Sequence, residues 1–419
     1  MKKNIGSFIT AIDIGTMKVT VIIAQKIDKK EFQILGFGKA QSKGISRGIV
    51  IDIAEAVYSI KMALEEAQIM AGIKVEEAII GISGAHINSF NSNGMIPIKH
   101  GYIKEQDKLS VVNSAKAIVI PEGQQILHTL TQYYTIDGQN KVKDPLGMFG
   151  IRLEAKVHII TGSINSVQNL VRCCQLAGIK VKDIILEPLA SAEAVLSNDE
   201  KNLGVALVDI GGGTSDLMIY KDGTVQHTKI LPTAGNHITN DLALCLRLTL
   251  NEAERVKHQF GSCISKDIQN LVGITTLDNI QEIDVEMIHG GETKKIYIDD
   301  IITIIEARTY ELLTLIDKEL KESNLKDSLP AGLVITGGGA LLHGLKYYAT
   351  AYLKMPTRIG IPQVKESFKE LFSNPIYSTN YGLILHVINK DNNKFNDYED
   401  ITIFNKIFWR MKSWITEIF

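Results

Sequence analysis

Residues 203–232 read LGVALVDIGGGTSDLMIYKDGTVQHTKILP. An apolar run from Val205 to Ile210 carries one acid near its end, Asp209, before three glycines, Thr214 and a second acid, Asp216. Another apolar run starts at Leu217, and the pair Asp222-Gly223 is a hairpin-turn signal leading into a third. The stretch reads as strand, tight glycine turn, strand. Gly211, Gly212 and Gly213 carry no Cβ, so backbone N–H groups at such a tip converge on an anion, as in a phosphate cradle. Asp209, at the strand end, is placed to hold Mg2+ through the ion's hydration water. No Gly-Lys-Ser/Thr follows and the next element is a strand, so this is not a Walker loop. Taken alone, the triplet fits an ordinary hairpin with a flexible tip equally well.

An echo near the N-terminus changes the balance. Residues 8–23, FITAIDIGTMKVTVII, again read strand, turn, strand, with Asp13, Gly15 and Thr16 at the tip. The two aspartates are 209 − 13 = 196 positions apart, which implies two similar lobes, each offering one hairpin to a shared cleft. Two such hairpins facing each other would clamp a triphosphate from both sides.

Working outward, residues 33–40 read as a third strand, 52–72 as a helix ended by Gly72, and 78–82 as a short buried strand, which makes an α/β lobe. Residues 85–160 change character and read as strand, helix, strand, strand, a small inserted βαββ subdomain. Its Asp144-Pro145-Leu146-Gly147 segment is a structural turn. After a helix at 165–177, residues 182–196 run from a strand into an alanine-rich helix, with Glu187 just before Pro188. Its small residues Ala190, Ser191, Ala192 and Ala194 allow a second helix to approach closely, and Gly382, inside a helical stretch at 375–388, suits that partner. A lone glutamate at such a junction is most often a solvated cap; opposite two phosphate loops, Glu187 becomes a candidate to orient an attacking water.

Residues 236–323 read as largely helical, and Glu254 and Lys257, three apart, have the spacing of an ordinary surface ion pair. Residues 331–344, AGLVITGGGALLHG, read as buried strand, glycine triplet and helix start. Gly337, Gly338 and Gly339 there suit a flat ring or ribose lying on bare backbone, or a phosphate at the helix N-terminus.

The polar stretch 389–400, NKDNNKFNDYED, reads as a flexible linker spanning roughly 20 Å. Beyond it, ITIFNKIFWRMKSWITEIF places Phe404, Ile407, Phe408, Met411, Trp414, Ile415 and Ile418 on one helical face bordered by Arg410 and Lys412. Both tryptophans of the chain lie in this tail, Trp409 on its polar side. Basic residues flanking an aromatic-rich face mark a helix lying in an anionic membrane surface, with docking onto its own protein as the blander alternative. So short a helix binds reversibly, and tight attachment requires several copies in one assembly.

Composition sets the remaining bounds. A chain of 419 residues exceeds one compact core, and a net charge of -2 gives no reason to expect nucleic acid. Cys173, Cys174, Cys245 and Cys263 lack Cys-x-x-Cys spacing and read as buried thiols in a reducing cytosol. The basic N-terminus runs into a strand pattern without a signal-peptide core, and no segment has the ~18 apolar residues of a membrane span.

With AIDIGTMKV, VDIGGGTSD and ITGGGA in this order, the chain resembles the actin, DnaK-type chaperone and sugar-kinase superfamily. Within it, the insertion ending DPLGMFGIRLEAKVHIITG, the segment EAERVKHQFG and the basic aromatic tail make it most similar to the bacterial FtsA cell-division family. The resemblance implies an actin-like two-lobed ATPase fold, with a duplicated βββαβα core, the inserted subdomain and a C-terminal amphipathic helix. The first lobe would comprise 1–84 and 162–202 around the insert at 85–161. The second would comprise a core at 203–240, a peripheral helical subdomain at 241–325 and a core return at 326–374. A connecting helix at 375–388, the linker at 389–400 and the membrane helix at 401–419 would complete the chain.

It further implies an ATP- and Mg2+-binding protein that polymerises with itself and binds the C-terminal peptide of the tubulin-like FtsZ through its second lobe. Such a protein tethers FtsZ to the cytoplasmic face of the cell membrane at the division site and helps recruit downstream division proteins, with at most weak ATPase activity. Carried over by motif, Asp13, Gly15, Thr16 and Lys18 would contact phosphates. Asp209, Gly211, Gly212, Gly213 and Thr214 would hold the second phosphate side and, with Asp13, the magnesium. Glu254 and Lys257 would reach ribose or base, Gly337, Gly338 and Gly339 would lie beneath the adenosine, and Glu187 would orient water. Met17 stands where that family often has a small residue. A sugar kinase or phosphatase of the same fold would need a carboxylate base in a glycine-rich substrate loop, and none is present; a pilus-assembly scaffold would differ in its partner.

Overall fold

In the computed structural model, residues 7–28, 31–264, 281–288, 293–364 and 368–392 are described. In the first lobe, strands β1 (Phe8–Ile14), β2 (Lys18–Lys26) and β3 (Phe32–Gln41) precede helix α1 (Ile53–Ala71) and strand β4 (Glu77–Ile82). Asp52 caps α1 by accepting from Glu55 N–H, and Gly72, at φ 66°, ends it. The insert follows as β5 (Asn88–Pro97), α2 (Glu105–Lys116), β6 (Gln124–Ile136) and β7 (Arg152–Ser163). Then α3 (Ile164–Leu176), β8 (Lys180–Leu186) and α4 (Glu187–Val195) complete the lobe.

The second lobe runs β9 (Val205–Ile210), β10 (Ser215–Lys221), β11 (Thr224–Leu231), α5 (Gly235–Leu246), α6 (Leu250–Phe260), β12 (Glu282–Glu286) and β13 (Thr293–Tyr297). It continues with α7 (Ile298–Glu322), β14 (Leu333–Thr336), α8 (Leu345–Leu353), β15 (Thr357–Ile359) and α9 (Ser378–Asn392).

The duplication is plain in the strand order. The first sheet is ordered β8-β4-β1-β2-β3 and the second β15-β14-β9-β10-β11. In each, the central strand pairs antiparallel with the hairpin that follows it and parallel with the later strand on its other side. Strand β9 shows why such a run is continuously apolar. Val205 and Leu207 belong to the core shared with the first lobe, whereas Ala206 and Val208 belong to a separate core under the outer helices. Both faces of the strand are buried, so the alternation is between two cores rather than between core and water.

Helices α4 and α9 cross between the sheets. A Cβ on Gly382 would lie 1.9 Å from the Ala190 carbonyl oxygen, so the small-residue pairing read from the sequence is a backbone-to-backbone contact. The insert has its own core, in which Val111, Val112 and Ala115 of α2 pack on Leu153, Ala155 and Val157 of β7. Its sheet covers β11, the edge strand of the second lobe: Ser89 Oγ donates to the Thr228 carbonyl (2.7 Å) and Gln132 Nε2 to that of Val225 (2.9 Å). Asp144 accepts from Leu146 N–H (3.2 Å) and pairs with Lys108 (3.2 Å), which makes the Asp-Pro-Leu-Gly segment a structural turn.

Four expectations need correction. The region expected to be largely helical contains the hairpin β12–β13, whose alternating Ile283 and Val285 point inward while Glu282, Asp284 and Glu286 face solvent. The third glycine triplet leads into a 3-10 turn, Gly338–Leu341, and the α-helix begins only at Leu345. Helix α9 runs to Asn392, past the start of the expected linker, and the residues before it, Pro375–Tyr377, form a 3-10 turn. Cys173, Cys174 and Cys263 are buried, but Cys245 is exposed. Residues 401–419 lie outside the described residues, and no described helix is long and apolar enough to cross a membrane.

Candidate functional site

The two hairpin tips are built alike. Gly15 N–H donates to the Lys18 carbonyl (3.0 Å) and Gly211 N–H to that of Thr214 (2.9 Å), so both bonded residues share the offset 211 − 15 = 214 − 18 = 196. Among the described residues, the N–H groups of Thr16, Met17, Gly212 and Gly213 have no backbone acceptor.

The tips also meet. A Cβ on Gly213 would fall 2.6 Å from Thr16 Oγ1 and 2.9 Å from Arg47 Cα, and one on Gly212 would fall 2.4 Å from Met17 Cγ. None of the three glycines at 211–213 has a positive φ. At Gly212 and Gly213 the space for a side chain is taken by the approach of the first lobe rather than restricted by backbone conformation.

Each tip aspartate is held by hydroxyl groups or by a chain reaching the crossing helices. Asp209 Oδ2 accepts from Ser191 Oγ of α4 (2.5 Å) and from Thr379 Oγ1 of α9 (3.1 Å). Asp13 Oδ2 accepts from Thr20 Oγ1 (3.4 Å), which in turn accepts from Asn380 Nδ2 of α9 (2.8 Å). Lys18 Nζ lies 3.8 Å from Asp13 and donates to the Ile376 carbonyl (2.7 Å). Gly337, at φ 82°, has its Cβ position 2.2 Å from Asp209 Oδ1, so the third triplet is seated directly on the second loop's acid. Gly339 packs equally tightly on Ile210, leaving Gly338, whose nearest neighbour is 3.9 Å away, as the open member.

Glu187, the first residue of α4, packs over Gly81 within this group of acids. Burial, and then the carboxylates of Asp13, Asp216 and Asp209, push its carboxyl well above the usual range, against the pull of Lys18. Burial likewise raises Asp13 and Asp209, and raises Asp216 to about 7. Asp216 sits opposite Asp209 in the β9–β10 register; its Oδ2 accepts from Ser83 and its buried Oδ1 has no partner. Four carboxyls facing one lysine, with an orphaned oxygen among them, fit a hard divalent cation and a polyphosphate. Among the described residues, no group of three or more His, Cys, Asp or Glu is placed to hold a metal ion by direct ligation alone.

Glu254 and Lys257 do more than pair on a helix surface. Lys257 Nζ bonds Glu254 (2.7 Å), Thr239 Oγ1 (2.8 Å) and the Gly235 carbonyl (3.3 Å), and Thr239 also donates to Glu254. Burial works to raise the Glu254 carboxyl, but the Lys257 and Thr239 hydrogen bonds outweigh it and hold the group low. Gly235 N–H donates to the Gly211 carbonyl (3.1 Å), so the network abuts the second loop.

The structure thus brings Asp13, Gly15, Thr16, Lys18, Glu187, Asp209, Gly211 to Thr214, Glu254, Lys257 and Gly337 to Gly339 into one connected neighbourhood. Ser191, Thr379, Asn380, Thr20 and Ser83 were missed. They are hydroxyls and an amide on helices and strand ends, where sequence alone gives such residues no distinctive spacing.

Comparison with known proteins yields two family models. "Cell division protein FtsA" matches residues 206–382, and "SHS2 domain inserted in FTSA" matches residues 84–161. The Cell division protein FtsA of Pseudomonas aeruginosa is 40% identical over 385 residues, covering 92% of this chain and 90% of its own length. That of Escherichia coli K12 is 33% identical over 383 residues, covering 90% and 89%. That of Borreliella burgdorferi is 32% identical over 420 residues, covering 99% and 98%. Among solved structures, one from a PilM-PilN type IV pilus biogenesis complex matches at TM-score 0.65 and 16% identity, covering 91% of this chain and 98% of its own. MreB5 of Spiroplasma citri bound to ADP matches at TM-score 0.55 and 15% identity, covering 93% and 99%. At such identities these two bear on the fold alone, which is actin-like.

Proposed function

This chain belongs to the FtsA family of bacterial cell-division proteins, and from that premise we propose that it is an ATP-binding, self-polymerising anchor for FtsZ at the cell membrane. The observation that carries the nucleotide part is the pair of hairpin tips, each with N–H groups that have no backbone acceptor among the described residues and each with its aspartate tied to a crossing helix. When bound, ATP with Mg2+ would supply a charge that both lobes contact at once. Thr16, Lys18 and the N–H groups of Gly212 and Gly213 would bind phosphate oxygens. Asp209 and Asp13 would hold the hydrated magnesium, Lys257 and Glu254 the ribose or base, and Gly338 the adenosine face.

Nucleotide occupancy would be felt by α4 and α9, since Ser191 and Thr379 bind the same carboxylate oxygen of Asp209. Those helices join the lobes, so the ligand acts first as a conformational signal for assembly. Glu187, in the ionised form that a nearby positive charge would favour, would orient a water for slow hydrolysis.

The second lobe would grip the FtsZ C-terminal peptide, and the basic aromatic residues of 401–419 would lie in the anionic membrane surface, cytoplasmic side, at the division site. Downstream division proteins would follow. Co-sedimentation of FtsZ with anionic vesicles tests this reading. FtsZ should pellet only when the full chain is present, and should stay in solution when residues 401–419 are deleted; recruitment unaffected by that deletion would refute the anchor.

A further inference from the structure

The turn between β3 and α1 reaches the second lobe. The two-residue strands Ile45–Ser46 and Ile49–Val50 pair around Arg47 and Gly48. Both tip residues have positive φ, 49° at Arg47 and 75° at Gly48, a conformation that favours glycine but here carries an arginine. Gly48 packs on the end of β4, its Cβ position lying 2.4 Å from the Ser83 carbonyl oxygen. The Arg47 backbone packs on Gly213, whose Cβ position lies 2.9 Å from Arg47 Cα. A residue of the first lobe is thereby held against the last glycine of the second lobe's loop.

The Arg47 side chain is exposed, and no hydrogen bond or ion pair to it is found among the described residues. Its charge nonetheless reaches the second lobe. The His237 ring, in the first turn of α5, is lowered by burial above all, and the positive charges of Arg308 and Arg47 add to that. The first turn of α5 is bound to the loop, Gly235 N–H to the Gly211 carbonyl and Asn236 N–H to that of Gly212 (2.8 Å). The loop therefore has two cationic ends. Lys257 stands at the Gly211 and Gly235 end, beside the residues assigned to ribose or base, and Arg47 stands at the Gly213 end.

We infer that Arg47 is a binding residue for the terminal phosphate of the nucleotide, so that the site distinguishes a triphosphate from a diphosphate. The inference rests on the nucleotide reading above and extends it to one residue. A phosphate chain laid along the loop from the Lys257 end arrives last at Gly213, on which the backbone of Arg47 packs, a cation with no partner among the described residues. Lys18, assigned above to the phosphates from the first hairpin, and Lys257 each have a carboxylate partner, whereas Arg47 has none among the described residues. Guanidinium donors match phosphate oxygens in a paired, charge-assisted geometry. Because Arg47 belongs to the first lobe and Gly213 to the second, the contact would add a phosphate-dependent tie to the packing already present between the lobes.

The test compares the full-length wild type with Arg47→Ala and Arg47→Lys, titrating each with Mg-AMPPNP and with Mg-ADP and monitoring binding by calorimetry. The side chain is exposed and every L-residue meets the same φ, so neither substitution removes a core contact; equal melting temperatures without nucleotide verify this. Arg47→Ala should lose about tenfold or more in AMPPNP affinity with ADP affinity unchanged within about twofold, and Arg47→Lys should lose less. Equal losses for both nucleotides, or none, overturn the inference while leaving the nucleotide reading intact. A wild type that binds neither nucleotide overturns both.

Discussion

Ser83 Oγ, at the end of a first-lobe strand, donates a 2.5 Å hydrogen bond to Asp216 Oδ2 on a second-lobe strand, and so ties the two lobes beside the two hairpin tips. The other oxygen of that carboxyl is buried without a partner. Burial raises Asp216 from 3.8 to about 7, helped by Asp209 and Asp13 and opposed by the hydroxyls of Ser83 and Thr214. Folded protein therefore keeps a proton that the unfolded chain has released. The group's contribution to stability is complete below pH 3.8 and is lost as pH rises to about 7. Asp216→Asn should flatten that slope: in urea unfolding at pH 5 and pH 7.5, the stability difference between the two pH values should shrink relative to wild type. An unchanged difference contradicts the raised pKa.

Gly382→Ala sets two effects against each other. Alanine raises helix propensity by about 1 kcal/mol over glycine, but its Cβ would sit 1.9 Å from the Ala190 carbonyl oxygen. Steric overlap with backbone wins, because neither helix has a flexible side chain to move aside. The variant should be less stable by about 1–3 kcal/mol in chemical denaturation, and a stabilised variant would contradict the close crossing of α4 and α9.

Neighbouring glycines in the second loop should differ. A Cβ on Gly212 meets the Met17 side chain, which has room to rotate, whereas one on Gly213 meets the backbone of Arg47. Gly213→Ala should separate the tips and weaken Mg-ATP binding by about tenfold, with Gly212→Ala within about threefold of wild type. Equal effects at both positions would show that tip contact does not set the glycine requirement.

The tail prediction needs no structural detail. Trp409 and Trp414 are the only tryptophans, so intrinsic emission reports residues 401–419 alone. Adding anionic vesicles at low salt should shift that emission to the blue, and added salt should reverse the part of binding due to Lys406, Arg410 and Lys412. No shift would contradict membrane insertion.

The strands and their duplication were legible because both β1 and β9 are buried on two faces, leaving apolar runs broken only by the tip acids and glycines. Helix α1, read as 52–72 with Gly72 as its stop, runs Ile53–Ala71, one residue shorter at each end. The hairpin β12–β13 was missed although EIDVE alternates, because long helical periodicity on either side dominated the reading. At the site, the acids and glycines declared themselves by motif. The hydroxyls of Ser191, Thr379 and Ser83 did not, since their function arises from partners 18, 170 and 133 residues away. Arg47 was invisible for the same reason: a lone arginine in a turn gains meaning only when Gly213 of the other lobe is found beneath it.

The central claim is that the two hairpins and the crossing helices form one nucleotide site through Asp209. It is tested most directly by calorimetric titration of Mg-ATP into wild type and Asp209→Ala. The wild type should bind, and the variant should lose about tenfold or more in affinity, since it removes the oxygen shared by Ser191 and Thr379 and the acceptor proposed for hydrated magnesium. Equal affinity in the two proteins would contradict the claim.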